Sequence, residues 1–182
     1  MMMPPAKVTE ANRAAVLDVK LDLLAMPEAV ETIVEAALAG NSLTCSCVGM
    51  HTFLSAQGDL RIRALLDHID LKLIDSTPVF WYLRCAGYAN ARKIRGQDLM
   101  NAVWQRCSEQ GLSVFLYGSS EKTLTLLKQR AQVKYPNLAI VGCKPGRYRQ
   151  LSEEEVQQDV DDIVQSGADI IWAGLGSPRQ DS

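Results

Sequence analysis

The sequence predicts an α/β protein: a Rossmann-like parallel sheet covered by helices on both faces, with a small strand or hairpin element at its N-terminal end. Three observations carry this. Short, almost wholly apolar runs at 43–48, 71–74, 114–117, 138–141 and 170–173 alternate with longer segments of helical periodicity. Strands that lack polar alternation are the ones buried on both faces, as in parallel sheets. Most of these runs also end in a turn built from Gly, Ser or Asp. Right-handed crossovers gather such turns on one sheet edge, where ligands of open α/β sheets bind.

A chain of 182 residues supports one domain with a sizeable core. Residues 1–15 read as a mobile arm and 16–182 as a single α/β domain, without internal repeats, low-complexity stretches or a linker. Apolar residues at 47% and charged residues at 22% are those of an ordinary globular protein. A formal net charge of −2, with no basic cluster interleaved with aromatics, argues against a nucleic-acid partner. The five cysteines contain no C-x-x-C pair and only two histidines accompany them. They read as buried thiols in a reducing cytoplasm rather than zinc ligands. Met1 to Lys7 has no signal-type apolar core, and no apolar run approaches the roughly 20 residues that span a bilayer.

Taken in order, 16–24 reads as a strand or hairpin. Pro27 and Glu28 open a helix carrying Val30, Ile33, Val34, Ala37 and Leu38, which Gly40 stops. The strand at 43–48 runs into Gly49-Met50-His51, and two helices follow, the second at about 60–69. The strand at 71–74 delivers Asp75, after which Ser76-Thr77-Pro78 opens a helix that ends at Gly87. Asp98 reads as the N-cap of a helix at 99–110, closed by Gly111. Beyond it come strand 114–117, helix 121–135, strand 138–141, a helix at 153–165 capped by Ser152, and strand 170–173. The turns at 49–51, 75–77, 118–120 and 174–180 are expected to line one crevice.

Several of these turns carry candidate chemistry. A carboxylate at Asp75 can accept a proton from an attacking hydroxyl, although it can equally serve as a helix cap. Gly118-Ser119-Ser120 joins a strand to a helix, so its backbone can approach a phosphate, or simply turn. It matches neither a dinucleotide fingerprint nor a Walker loop. Lys93 and Arg95, just before a helix, can neutralise a diphosphate or form a solvated surface pair. The Asp159/Asp161/Asp162 group contains a D-x-D triplet. It lies in a helix whose apolar stripe is Val156, Val160, Ile163 and Val164, so these acids are expected to face water and not to bind a metal. His51 can contact a ligand, and His68 reads as a surface residue. Trp81, Trp104 and Trp172 read as packing residues.

These motifs, together with Ala168-Asp169-Ile170-Ile171-Trp172-Ala173-Gly174-Leu175-Gly176-Ser177-Pro178-Arg179-Gln180, closely resemble the WecG/TagA/CpsF glycosyltransferase family. Leu73-Ile74-Asp75-Ser76-Thr77-Pro78 resembles that family's strand ending in a catalytic aspartate. Lys93-Ile94-Arg95-Gly96-Gln97-Asp98-Leu99-Met100 resembles its basic-glycine-aspartate segment. Residues 42–56 stand in the place of its first substrate loop. The resemblance spans about residues 16–181, with the motifs in order.

The resemblance implies inverting, metal-independent transfer of a hexose or N-acetylhexosamine from a UDP-sugar to a polyprenyl-diphosphate-linked glycan. The setting it implies is bacterial cell-wall or exopolysaccharide synthesis, at the cytoplasmic face of the membrane. No cofactor is expected beyond the donor. The resemblance makes Asp75 the general base and assigns substrate contacts to Cys47, Gly49, His51, Ser76, Lys93, Arg95, Gly118, Ser119, Gly176 and Gln180. Cys47 and Gly49 stand where the family often has Thr and Asn, Ser76 where it has Gly, and Lys93 where it has Arg. An N-acetylmannosamine donor is therefore not implied, and UDP-glucose stays open. The resemblance also implies a segment after Ser182 that closes the site and touches the membrane. Self-association is left open. The rival reading is a non-catalytic nucleotide-sugar-binding or assembly protein of the same fold.

Overall fold

The computed structural model describes residues 12–147, 149 and 151–176. The chain divides into two compact units, residues 12–103 and 104–176 of the described part, and the division falls within one helix. The α/β class is as expected, with parallel strands alternating with helices. The parallel strands form two sheets rather than one: a two-stranded sheet in the first unit and a three-stranded sheet in the second.

The first unit opens with an antiparallel hairpin, β1 (Arg13–Val16) and β2 (Val19–Asp22). It begins inside the expected N-terminal arm, because Arg13 donates to the Asp22 carboxylate across the hairpin at 2.7 Å. The other oxygen of Asp22 accepts the backbone N–H of Lys72 at 2.7 Å and so fastens the hairpin to the sheet. Helix α1 (Met26–Leu38) follows, and the Glu28 carboxylate accepts the N–H of Ala25 at its start. Strand β3 (Cys45–Val48) leads into α2 (Met50–Gly58) and α3 (Leu60–His68), and then comes β4 (Leu71–Ile74). The two strands pair in parallel, Cys45 opposite Leu71 and Val48 opposite Ile74. β4 is buried along its whole length, Lys72 included, whose ammonium donates to the carbonyl of Ile69 at 2.5 Å. Helix α4 (Thr77–Cys85) and the first half of α5 (Gly96–Gln110) complete the unit. Its core joins Val19, Leu21, Val48, Phe53, Leu66, Ile74, Val79 and Leu83.

In the second unit β5 (Ser113–Gly118) is the central strand, flanked in parallel by β6 (Ala139–Lys144) and β7 (Ile170–Gly174). Helix α6 (Glu121–Lys134) connects β5 to β6, and α7 (Glu153–Gln165) connects β6 to β7. Trp104, Cys107, Val114, Leu116, Leu124, Tyr135 and Leu138 are buried here. Trp104 meets Tyr135 edge-on at 6.4 Å.

The same clasp recurs in both units, at the strand starts away from the ligand edge. Asp70 accepts the backbone N–H and hydroxyl of Thr44, each at 2.8 Å, while Thr44 Oγ1 accepts the N–H of Asp70. Asp169 and Ser113 make the equivalent three bonds between β7 and β5. Each clasp fixes the register of two parallel strands, and thereby sets where their far ends present Asp75 and Gly118.

Candidate active site

In the first unit, four chain segments converge around the end of β4. Asp75 follows the strand directly, and its N–H bonds to the carbonyl of Val48 at the end of β3 at 3.2 Å. The next residue, Ser76, is the buried N-cap of α4, and its hydroxyl accepts the N–H of Val79. This separates the two roles open to Asp75. The cap is Ser76, and the half-buried Asp75 carboxylate has no side-chain partner among the described residues.

The basic segment is held beside it. Ile94 donates its N–H to the carbonyl of Ile74 at 2.8 Å, so the chain before α5 runs alongside the end of β4. Lys93 Nζ donates to Thr77 Oγ1 at 2.6 Å, which places an ammonium at the first turn of α4. Gly96 lies against Cys47, since a Cβ there would stand 3.8 Å from Cys47 Sγ. Gly49 is the N-cap of α2, and a side chain added to it would meet open space. Asp75, Ser76, Lys93, Cys47 and Gly49 thus belong to one cluster of turns. His51 is exposed in the first turn of α2, and Arg95 is exposed with Asp98 at 4.0 Å. Asp98 itself is not the N-cap of α5. The carbonyl of Arg95 already accepts the N–H groups of Asp98 and Leu99, so the helix starts at Gly96 with Asp98 in its first turn.

In the second unit, Gly118 and Ser119 form a tight turn, both at positive φ (101° and 61°). A Cβ on Gly118 would stand 2.8 Å from the carbonyl carbon and oxygen of Gly174. Only glycine lets the ends of β5 and β7 come this close. Ser120 caps α6 by accepting the N–H of Thr123. The carbonyl of Ser119 accepts the N–H of Gly146 at 3.0 Å. A Cβ on Gly146 would lie 3.2 Å from Gly118 Cα and 2.6 Å from the Leu175 side chain. Three turns therefore meet at the C-terminal sheet edge, at Gly118-Ser119, Gly146 and Gly174-Leu175. Gly146 was not among the sequence candidates. Its signal was the Pro145-Gly146 pair directly after β6, a turn dipeptide at the same edge. Gly176 is exposed. Gln180 lies outside the described residues.

Helix α7 reverses the expected orientation of its acids. Asp159 is 3% exposed, whereas Val156, Val160 and Val164 of the presumed inner stripe are 47%, 45% and 72% exposed. The cause is a demand for counter-charge from the sheet. Asp159 receives Lys144 Nζ at 2.6 Å, Arg147 at 3.2 Å and the Tyr117 hydroxyl at 2.8 Å, and Lys144 also pairs with Asp162. Burial opposes the Asp159 carboxylate, but the hydrogen bonds from Lys144 and Tyr117 outweigh it and hold its pKa below the usual range. Arg149 and the Ser152 N–H lower Glu155 to about 2. Asp159 of the triplet, and Asp162 just beyond it, are thus occupied with a lysine.

Two results are expected. Asp159→Ala destabilises the second unit by about 1–3 kcal/mol in denaturant titration, since it takes the acceptor from the Tyr117 hydroxyl and leaves Lys144 with Asp162 alone. Carboxylates with depressed folded pKa values stabilise above their unfolded pKa of about 4, and that stabilisation is lost as pH falls through the folded value. Stability is therefore flat near neutrality and drops between about pH 4.5 and 2, and Asp159→Asn makes the drop shallower.

The cysteines and tryptophans also depart from expectation. All are free thiols, but only Cys107 is buried, with its pKa pushed up to about 11 by that burial. Cys47 is half-buried, and Cys45, Cys85 and Cys143 are exposed, although the atoms packed around Cys45 still push its thiol well above the usual range. Trp104 packs in the core as expected, and Trp172 is partly buried. Trp81 is 60% exposed, since α4 turns Val79 and Leu83 inward instead. His68 is exposed, as expected.

The first unit thus presents a carboxylate and a nearby ammonium at its strand ends, and the second a glycine-built turn, at the edge where open parallel α/β sheets hold ligands. The family described as "Glycosyl transferase WecG/TagA/CpsF family" matches residues 14–182, nearly the whole chain, and the protein belongs to it. It is thus a member of a glycosyltransferase family. No helix among the described residues is long and apolar enough to cross a membrane.

Proposed function

We propose that the protein is an inverting, metal-independent glycosyltransferase, moving a sugar from a UDP-sugar to a polyprenyl-diphosphate-linked glycan in bacterial cell-surface or exopolysaccharide synthesis. The observation that carries this is Asp75, a strand-end carboxylate relieved of capping by Ser76. Asp75 accepts the proton of the acceptor hydroxyl as that oxygen bonds to the anomeric carbon. The bond from that carbon to the diphosphate oxygen breaks on the opposite side, and UDP leaves with the electron pair. Lys93 stabilises the charge developing on the diphosphate, with Arg95 near it in sequence. Gly118, Ser119 and Gly176 contribute backbone to nucleotide binding, and Cys47, Gly49 and His51 border the sugar. Gln180 joins the site on the strength of its motif. No cofactor takes part, and the protein works at the inner face of the cytoplasmic membrane.

Cys47 and Gly49 also favour a second reading, a nucleotide-sugar-binding or assembly protein without turnover, because two polar contacts are replaced there. A panel of UDP-hexoses and UDP-N-acetylhexosamines, screened by thermal shift and then for transfer to a polyprenyl-diphosphate acceptor, separates the two. Transfer from one donor is the expected result; donor binding without transfer selects the second reading. Open space at Gly49 makes Gly49→Asn compatible with folding. Combined with Cys47→Thr, it is expected to shift donor preference toward N-acetylated sugars by about fivefold, one added hydrogen bond being worth roughly 1 kcal/mol.

A further inference from the structure

The side of α4 turned away from the core is apolar where a solvated helix face would be polar. Pro78, Trp81, Tyr82 and Cys85, at i, i+3, i+4 and i+7, are all exposed, while Val79 and Leu83 fill the opposite side. Trp81 and Tyr82 are about 60% exposed, and Tyr88 adds a third exposed ring just beyond the helix. The half-buried Phe80 supports Trp81, their ring centroids 5.3 Å apart.

Charge is distributed unusually in the same stretch. From Ser76 to Gln97 there is no Asp or Glu, yet Arg84, Arg92, Lys93 and Arg95 fall within it, in a chain whose net charge is −2. Two of these cations converge, since the Arg84 and Arg92 guanidinium groups both donate to the carbonyl of Ala89. Neither has a carboxylate partner among the described residues. The sequence showed no basic cluster interleaved with aromatics, but the end of α4 and its loop bring one together.

We propose that this face, the outer stripe of α4 with Arg84, Arg92 and Tyr88, docks on an anionic phospholipid surface. Trp and Tyr are the side chains that settle at the headgroup level, with the ring in the apolar boundary and the polar edge in water. Unpaired guanidinium groups beside them meet lipid phosphates. The uncovered valines of α7 form the other exposed apolar stripe described above, but that helix is strongly acidic and an anionic surface repels it. Because α4 starts one residue after Ser76, docking would hold the Asp75 turn near the membrane. To that extent the inference deepens the proposed function; the docking itself needs neither donor nor acceptor.

The test is co-sedimentation of the whole chain with vesicles of phosphatidylglycerol and phosphatidylethanolamine, against phosphatidylcholine alone. Binding is expected to the anionic vesicles only and to weaken with salt. Arg84→Gln with Arg92→Gln is expected to lower partitioning roughly 30-fold, each cation near such a surface being worth about fivefold. Trp81→Ala with Tyr82→Ala is expected to abolish binding at low protein concentration. Both pairs are exposed, and an unchanged melting curve shows that they fold. Val160→Ser with Val164→Ser is expected to leave binding as it was. Equal binding by the α4 variants and the unaltered chain would overturn the proposal. So would a vesicle-indifferent protein whose dimer Trp81→Ala dissociates, which would make a second copy the occupant. Vesicle binding through α4 without sugar transfer would sink the proposed function alone, and transfer to a water-soluble acceptor without vesicle binding would sink the docking alone.

Discussion

Replacing Asp75 by Asn is expected to slow sugar transfer by about 10²–10⁴-fold, the usual contribution of a positioned general base, while donor affinity stays within about twofold. The side chain keeps its shape and loses only its ability to take a proton. Among the described residues no side chain pairs with the carboxylate; Ser76 caps α4, and Asp75 is engaged in the strand through its backbone N–H. Stopped-time assays of product, with UDP-sugar binding measured in parallel, check both halves. The companion variant Ser76→Ala behaves in the opposite way. It costs about 1 kcal/mol of stability through the lost cap and leaves the chemical step near its original rate once folded. Equal losses from the two variants would mean that the turn, and not the carboxylate, is what matters.

Gly118→Ala is expected to be among the most damaging single-methyl changes in the second unit, at roughly 2–4 kcal/mol. A non-glycine residue at a φ of 101° is itself strained by about 1–3 kcal/mol. The added carbon would also stand 2.8 Å from the backbone of Gly174, so β5 and β7 would have to part at the edge where a nucleotide would sit. Melting should fall by roughly 5–15 °C and UDP affinity should drop with it. Gly176→Ala provides the comparison. It shares a positive φ, 82°, but meets nothing within 4 Å, so only the backbone strain remains. A similar loss from both would show that crowding between β5 and β7 contributes nothing.

Much of this was legible in the residues because it depends on local rules. The run 71–74 read as a buried strand despite Lys72 within it, and Ser152 marked the start of α7 to the residue. Long-range choices were not legible. Apolar strands reveal that they are parallel but not which of them pair, so the division into two sheets was hidden. The outward valines of α7 were hidden as well. A helical stripe normally packs inward, and here Lys144, Arg147 and Tyr117, a dozen or more residues away, recruit the acids instead. Asp98 fits a cap by residue type, but the Arg95 carbonyl starts the helix three residues earlier. For the site, spacing could list Asp75, Lys93 and Cys47 without joining them. Their meeting depends on Ile94 pairing with β4 and on Gly96 seating against Cys47, contacts that only the folded chain makes. The two roles open to Asp75 were separated by one hydroxyl, that of Ser76.

The most direct measurement of the central claim is the anomeric configuration of the transferred sugar, read by NMR on product made from an α-linked UDP-sugar. Direct attack by an acceptor oxygen that Asp75 deprotonates, with UDP leaving from the opposite side, predicts a β-linkage, formed about 10²–10⁴-fold more slowly by Asp75→Asn. An α-linked product would contradict it, since retention requires a second displacement or a front-face departure in which Asp75 is not the base.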